Sequence, residues 1–275
     1  MAAPLIRWSG TAPEILGLWR LLGASLLMLP LVIHQKDIFK LLRRPSWESL
    51  WIFLSAFFFF FHQWTYSLAA QNTKITHCMI LFAINPLFAS AGAVYFFKEK
   101  LSWRWAAAYF LSFLGVFLLV KQDIDISHSS ISGNVYAILA AVFYAAYVLA
   151  GKKARLTVNN IPYSFFVYFL AGLGFLMASS WRNSSLLPTH TYSWWAIAGT
   201  ILIPTFLGHG LFTYLMKRMD LNLMTCGKLM EPPISSLPAF LIFQELPDAT
   251  TYQAFILTAV GVLILFLPRI KILQA

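Results

Sequence analysis

The sequence has little charge. Only 11% of its 275 residues are Asp, Glu, Lys or Arg, where soluble domains carry about 25%. Acids are the scarcer sign, 10 against 20 bases, for a formal net charge of +10. Cysteine is nearly absent. Cys78 and Cys226 both lie inside apolar stretches, which excludes a disulfide framework. There is no Walker loop, no His-Glu-x-x-His and no Ser-bearing Gly elbow, and neither cysteine has an acid–base partner nearby in sequence. An enzyme and an ATP-driven pump are therefore not expected, nor is any cofactor. Repeated pore helices and charge rings, the marks of a channel, are missing as well.

What is there is apolar: 59% of residues are hydrophobic, among them 25 Phe and 10 Trp, and the mean hydropathy is +0.70. Disorder needs the opposite balance. Stretches of about 20 apolar residues suit a bilayer core. Nine such segments are expected as spanning helices, at 13–34, 49–69, 75–97, 103–120, 134–150, 161–180, 194–216, 222–243 and 251–267. The unbroken run Phe57–Phe61 does not alternate as a barrel strand would, so the class is all-α. The start shows no basic region, apolar core and small-residue cleavage site in order, so no signal peptide is expected.

The basic residues orient these spans. Alternate connections hold fourteen of them in one set, including Arg43, Lys98, Lys152, Arg218 and Arg269. The opposite set holds four, Arg7, Lys74, Lys121 and Arg182. The richer set marks the cytoplasm, so the C-terminus is expected inside, in the inner (plasma) membrane. This placement of the charges also makes nucleic acid an unexpected partner. Nine spans would leave Met1 outside, and Ala2–Ile6 reads as the tail of an apolar helix, so a tenth, earlier helix is expected in the complete protein.

The chain also repeats itself. Asn85-Pro86 and Glu231-Pro232 lie 146 residues apart, and the same offset carries Glu99 onto Glu245 and Gly115-Val116 onto Gly261-Val262. Tyr66 and Tyr214 match at 148. An odd number of spans between the copies would invert one relative to the other, as in secondary transporters whose substrate site lies where the halves meet. The halves are expected at 1–124 and 134–272.

Glu231-Pro232, Phe243–Leu246 and Gly261–Ile264 resemble the second repeat of the EamA family of the drug/metabolite transporter superfamily. Asn85-Pro86, Phe97–Ser102 and Gly115-Val116 resemble its first repeat, and Trp19-Arg20 that repeat's second helix. Two departures stand out: the first helix is missing, and the usual Gly before each loop glutamate is Lys98 and Gln244 here. The resemblance implies ten helices around a central cavity and a small metabolite, amino acid or amphiphilic compound as cargo.

Several residues are candidates for that cavity. Glu231 and Lys228 share a helical face beside Pro232-Pro233, whose missing donors break the helix. An ionisable group in a span needs a partner or water, so the pair suits a substrate or proton site, or else a structural ion pair. Arg20 could pair with Glu231, bind an anionic solute group or snorkel to the interface. His209 lies between Thr205 and Thr213 at steps of four, and His62 precedes Tyr66 by the same step. Both stripes suit a cavity wall, or interhelical hydrogen bonds. Asn85 is the uncharged counterpart of Glu231, with Pro86 breaking its helix, while Trp64, Tyr144 and Tyr147 could supply aromatic walls. No His or Cys has metal-ligand spacing. The expected partners are thus a small-molecule solute, protons if flux is coupled, lipid and, as an open alternative, a second copy of the chain. The rival class is a membrane scaffold without transport.

Overall fold

The computed structural model describes residues 2–35, 47–73, 75–100, 103–123, 131–188 and 190–230, with isolated residues between 249 and 264. Glu231, Pro232, Pro233 and Glu245 lie outside these. Among the described residues every regular element is a helix: α1 (Ala2–Trp8), α2 (Pro13–His34), α3 (Trp47–Asn72), α4 (Ile75–Phe82), α5 (Asn85–Phe97), α6 (Trp103–Asp123), α7 (Ile131–Arg155), α8 (Asn160–Trp181), α9 (Ser193–Leu215) and α10 (Leu221–Gly227), which tightens into a 3₁₀ turn at Lys228–Met230. Four of them, α2, α7, α8 and α9, are long and apolar enough to cross a membrane.

The polarity of the bundle is reversed relative to a soluble protein. Phe53, Phe110, Phe117 and Met177 face outward, whereas Arg20, His62, Gln63 and Thr205 are buried. Trp47, Trp103, Trp181 and Trp195 stand exposed at helix ends, where indoles anchor at a membrane interface. Lipid offers no hydrophobic drive for helix association, so close packing must supply it. The most extensive packing, between α3 and α7, uses the small ridge Ala137, Ala141 and Ala145, with Ala140 beside it, all buried. At Gly133 a Cβ would lie 2.7 Å from the Asn72 backbone, so only glycine admits this approach of α7 to the end of α3. Around this pair, α2 packs on α8, α3 on α8, α1 on α9, and α10 on α5.

The span expected at 75–97 is two helices. Pro86 has no N–H, which leaves the Phe82 carbonyl one turn back without its helical donor. The Asn85 side-chain amide donates to that carbonyl at 2.8 Å and closes the gap. At the far end of α5, Lys98 adopts the left-handed conformation at φ 55°. That conformation is the one glycine takes without strain, which accounts for the glycine of the family pattern at this position. The turn delivers the Glu99 carboxylate to the start of α10, where it accepts from the Leu221 and Asn222 N–H groups at 2.9 and 3.2 Å. Lys152 of α7 pairs with the same carboxylate at 2.6 Å. One glutamate therefore ties α5, α7 and α10 together.

Two arginines close helix ends in a matching way. Arg7, in the last turn of α1, donates to the carbonyls of Ala70 and Thr73 at the end of α3. Arg155, 148 positions on, donates to those of Thr213, near the end of α9, and Val158. Cationic side chains are favourable there because the last carbonyls of a helix lack partners. Tyr66 and Tyr214, the repeat pair at the same offset, lie on these two capped helices.

Candidate functional site

The centre of α9 is wound with i→i+5 hydrogen bonds over Ile201–Gly210. Pro204 sits inside this stretch and cannot donate, so the ordinary ladder is interrupted there. Wide turns of this kind occur frequently at functional sites. Here the turn aims Thr205 and His209 inward, and both are buried.

Arg20 meets them from α2. Its Nε–H donates to Thr205 Oγ1 at 2.7 Å and its Nη1–H to Gln63 Oε1 at 2.8 Å. Arg20 is 2% exposed, so its side chain turns into the bundle and does not snorkel. Gln63 Nε2 lies 3.2 Å from His209 Nε2. The roles in this chain follow from valence. Arginine can only donate, so the Gln63 oxygen faces Arg20 and its amide N–H faces His209. His209 Nε2 must then accept, which assigns the ring proton of the neutral imidazole to Nδ1. Nδ1 is buried and has no hydrogen-bond partner among the described residues.

These groups border a cavity of about 380 Å³. Arg20, His62, Gln63, Tyr66, Phe82, His209 and Lys228 line it, with Ala2 and the α9 residues Ile203, Pro204, Leu207 and Gly208. His62 Nδ1 lies 3.1 Å from the Ala140 carbonyl, to which it donates, and its ring stacks on Phe82 at 5.3 Å. The Lys228 ammonium sits 4.1 Å over the Tyr144 ring, with Phe82 and Phe212 at 5.7 and 5.6 Å. No group of three His, Cys, Asp or Glu suited to a metal ion occurs among the described residues.

Of the residues singled out from sequence, the structure brings Arg20, His62, Tyr66, His209 and Lys228 to one cavity, with Tyr144 against Lys228. Others lie elsewhere. Asn85 is turned onto its own helix break, Tyr147 is buried behind the cavity against Phe59 and Tyr144, and Trp64 packs on Phe60 and Phe175 along a separate apolar groove between α3 and α8. Glu231, Pro232 and Pro233 lie outside the described residues. Gln63 is the member the sequence reading missed. Its signal was an amide in an otherwise apolar stretch, one position from His62 and thus about 100° around the helix from the stripe being followed.

Comparisons with known proteins bear on the family and the fold. The model of the EamA-like transporter family matches twice, over residues 6–121 and 131–267. A protein named S-adenosylmethionine uptake transporter, from Rickettsia felis, is 26% identical over 248 residues, covering 87% of this chain and 78% of its own. An uncharacterised transporter of Bacillus subtilis is 24% identical over 270 residues, covering 94% and 83%. A protein of known crystal structure superposes with a TM-score of 0.76 at 15% identity, over 98% of this chain and 96% of that one, which speaks for the fold. With its family model matched on both halves, this chain is a multi-pass membrane protein that belongs to the EamA-like transporter family.

Proposed function

We propose that this chain is a secondary transporter of the inner membrane, working by alternating access, in which two inverted repeats rock about the Arg20–Gln63–His209 cavity. The halves, at 1–124 and 134–272, each contribute walls. Arg20 and Gln63 come from the first, His209 and Lys228 from the second. The packing pattern supports two exchangeable halves, and α2 runs antiparallel to α8, with Gly17 against Phe175 and Gly172 against Leu22. α2 on α8 pairs the second helix of one half with its counterpart, and α3 on α7 is mirrored by α9 on α1. The paired caps of Arg7 on α3 and Arg155 on α9 point the same way.

The observation that carries the reading is the directed hydrogen-bond chain. Arg20 donates, Gln63 relays, and His209 is left with a buried Nδ1–H that nothing described accepts. The donors of this chain suit a solute that brings an acceptor, above all a carboxylate. A buried donor left unmade costs about 1–3 kcal/mol, so a solute oxygen there gains what the empty site lacks. The solute is thus a small metabolite or amino-acid-like compound, and S-adenosylmethionine, the cargo named for the Rickettsia relatives, carries such a carboxylate. His209 and Glu231 are the groups through which protons would couple.

The test is uptake by the purified full chain in proteoliposomes, with labelled S-adenosylmethionine and a panel of amino acids as probes. Saturable flux of at least one, reduced more than about tenfold in Arg20→Gln, is expected. An imposed pH gradient should change that flux, and indifference to it would remove the proton. A chain that moves none of the probes contradicts the reading as a whole.

A further inference from the structure

The aromatic rings around Lys228 form a cup that the lysine does not build. Tyr144 is fully buried on α7, Phe82 on α4 is 5% exposed and Phe212 on α9 is 9% exposed. Phe82 is held by His62 at 5.3 Å and Tyr66 at 5.0 Å, and Tyr144 by Phe212 at 6.0 Å and His62 at 5.0 Å. The rings thus come from three different helices and are fixed by their own packing. Lys228 differs from them. It is only part-buried, and it stands on the short 3₁₀ turn that ends α10, three residues before the Glu231-Pro232-Pro233 break. Phe82 and Lys228 both border the cavity, so a solute in the cavity reaches the mouth of the cup.

A cation over an aromatic face gains from the ring quadrupole, and the gain grows when water is excluded. Cups of several rings favour weakly hydrated cations such as quaternary ammonium groups, whose charge is spread over methyl carbons. An ammonium on a tether that sits in such a cup fills the place of a soluble cation at high effective concentration.

We propose that the Tyr144–Phe82–Phe212 cup is a second subsite of the cavity, for a soft organic cation of the sulfonium or quaternary ammonium class, and that Lys228 is its built-in competitor. This rests on the reading of the cavity as the solute site. The solute then carries two poles, a carboxylate toward Arg20 and His209 and an onium group in the cup, and its entry expels the Lys228 ammonium. The exchange is neutral for the cup, since one positive charge replaces another.

The experiment is titration calorimetry on the purified full chain in detergent, with tetramethylammonium and trimethylsulfonium chloride as probes. N-methylglucamine chloride, a strongly hydrated cation, sets the ionic-strength baseline. Lys228→Met is expected to bind both probes at least about tenfold more tightly than the unaltered chain. In that background Tyr144→Phe should keep the gain, because the ring face persists, and Tyr144→Leu should lose it. Lys228→Gln serves the same purpose if the Met variant does not fold, as judged by its melting curve. No tightening on removing the lysine, or equal binding after Tyr144→Leu, overturns the proposal. If the proteoliposomes transport a solute while the onium probes fail to bind, only the cup is refuted. If no solute moves at all, the transporter reading has failed first.

Discussion

The two proline sites of this chain, Asn85-Pro86 and Glu231-Pro232, differ in what the residue beside the proline can offer the backbone. At Asn85-Pro86 the orphaned Phe82 carbonyl is satisfied by the amide of the residue next to the proline. At Glu231-Pro232 the residue before the proline is an acid and a second proline, Pro233, follows. An ionised carboxylate has no proton to offer a backbone carbonyl, whereas an amide has two. At the first site the orphaned carbonyl is therefore satisfied, although Asn85 Oδ1 is buried without a hydrogen-bond partner among the described residues. Glu231-Pro232-Pro233 lies outside the described residues and follows in sequence the Lys228 turn that borders the cavity. We propose that the first site serves as scaffold and the second as the working element.

Exchanging the residues beside the two prolines tests this difference directly. The largest effect is expected from Glu231→Gln, which supplies an amide donor and removes the charge. Transport in proteoliposomes should fall more than about tenfold while the yield of folded protein stays near normal. An equal loss of both would mean that Glu231 serves structure only. Arg20→Met should come next, because it leaves the Gln63 oxygen without its donor and loosens the tie to Thr205. A buried acceptor stranded in this way costs about 1–3 kcal/mol, so the melting temperature should drop along with solute affinity. Asn85→Ala removes the donor to Phe82 and should cost about the same in stability. Solute affinity should change little, since Asn85 does not line the cavity. Equal damage to affinity would erase the contrast between the two sites. The smallest effect on transport is assigned to Glu99→Gln, which keeps an acceptor at the start of α10 but weakens the largely buried Lys152 pair and the charge at the helix N-terminus. The expected loss of stability, about 2 kcal/mol, is readable as a shift in thermal unfolding.

The sequence made the helices legible because lipid imposes a long apolar run on each of them, and the observed bounds of α2, α8 and α9 follow the expected 13–34, 161–180 and 194–216 closely. The break at Asn85 was legible because proline acts locally. Charged and imidazole side chains were legible as candidates for a related reason: Arg20, His62, His209 and Lys228 are costly in a membrane anywhere but around a polar cavity. What the sequence hid depends on tertiary choice. Trp64 and Tyr147 could not be told from the other aromatics of a chain that is 17% aromatic, since any of them can pack helices. Asn85 looked like a cavity residue by its alignment with Glu231, but its nearest unsatisfied acceptor was on its own helix. Gln63 lies off the His62–Tyr66 stripe, and only the approach of α2 and α9 from that side gives it a role. The wide turn of α9 was equally hidden, because steps of four between Thr205, His209 and Thr213 suit an ordinary helix as well.

Sidedness of the two glutamate hairpins is the most direct test of the central claim, that inverted halves meet at the polar cavity. With Cys78 and Cys226 replaced by serine, single cysteines at Lys98 and at Gln244 would be labelled by a membrane-impermeant maleimide in intact cells and in inside-out vesicles. Inverted repeats predict reaction at 98 only from the cytoplasmic face and at 244 only from the opposite face. Labelling of both from the same face would contradict the account.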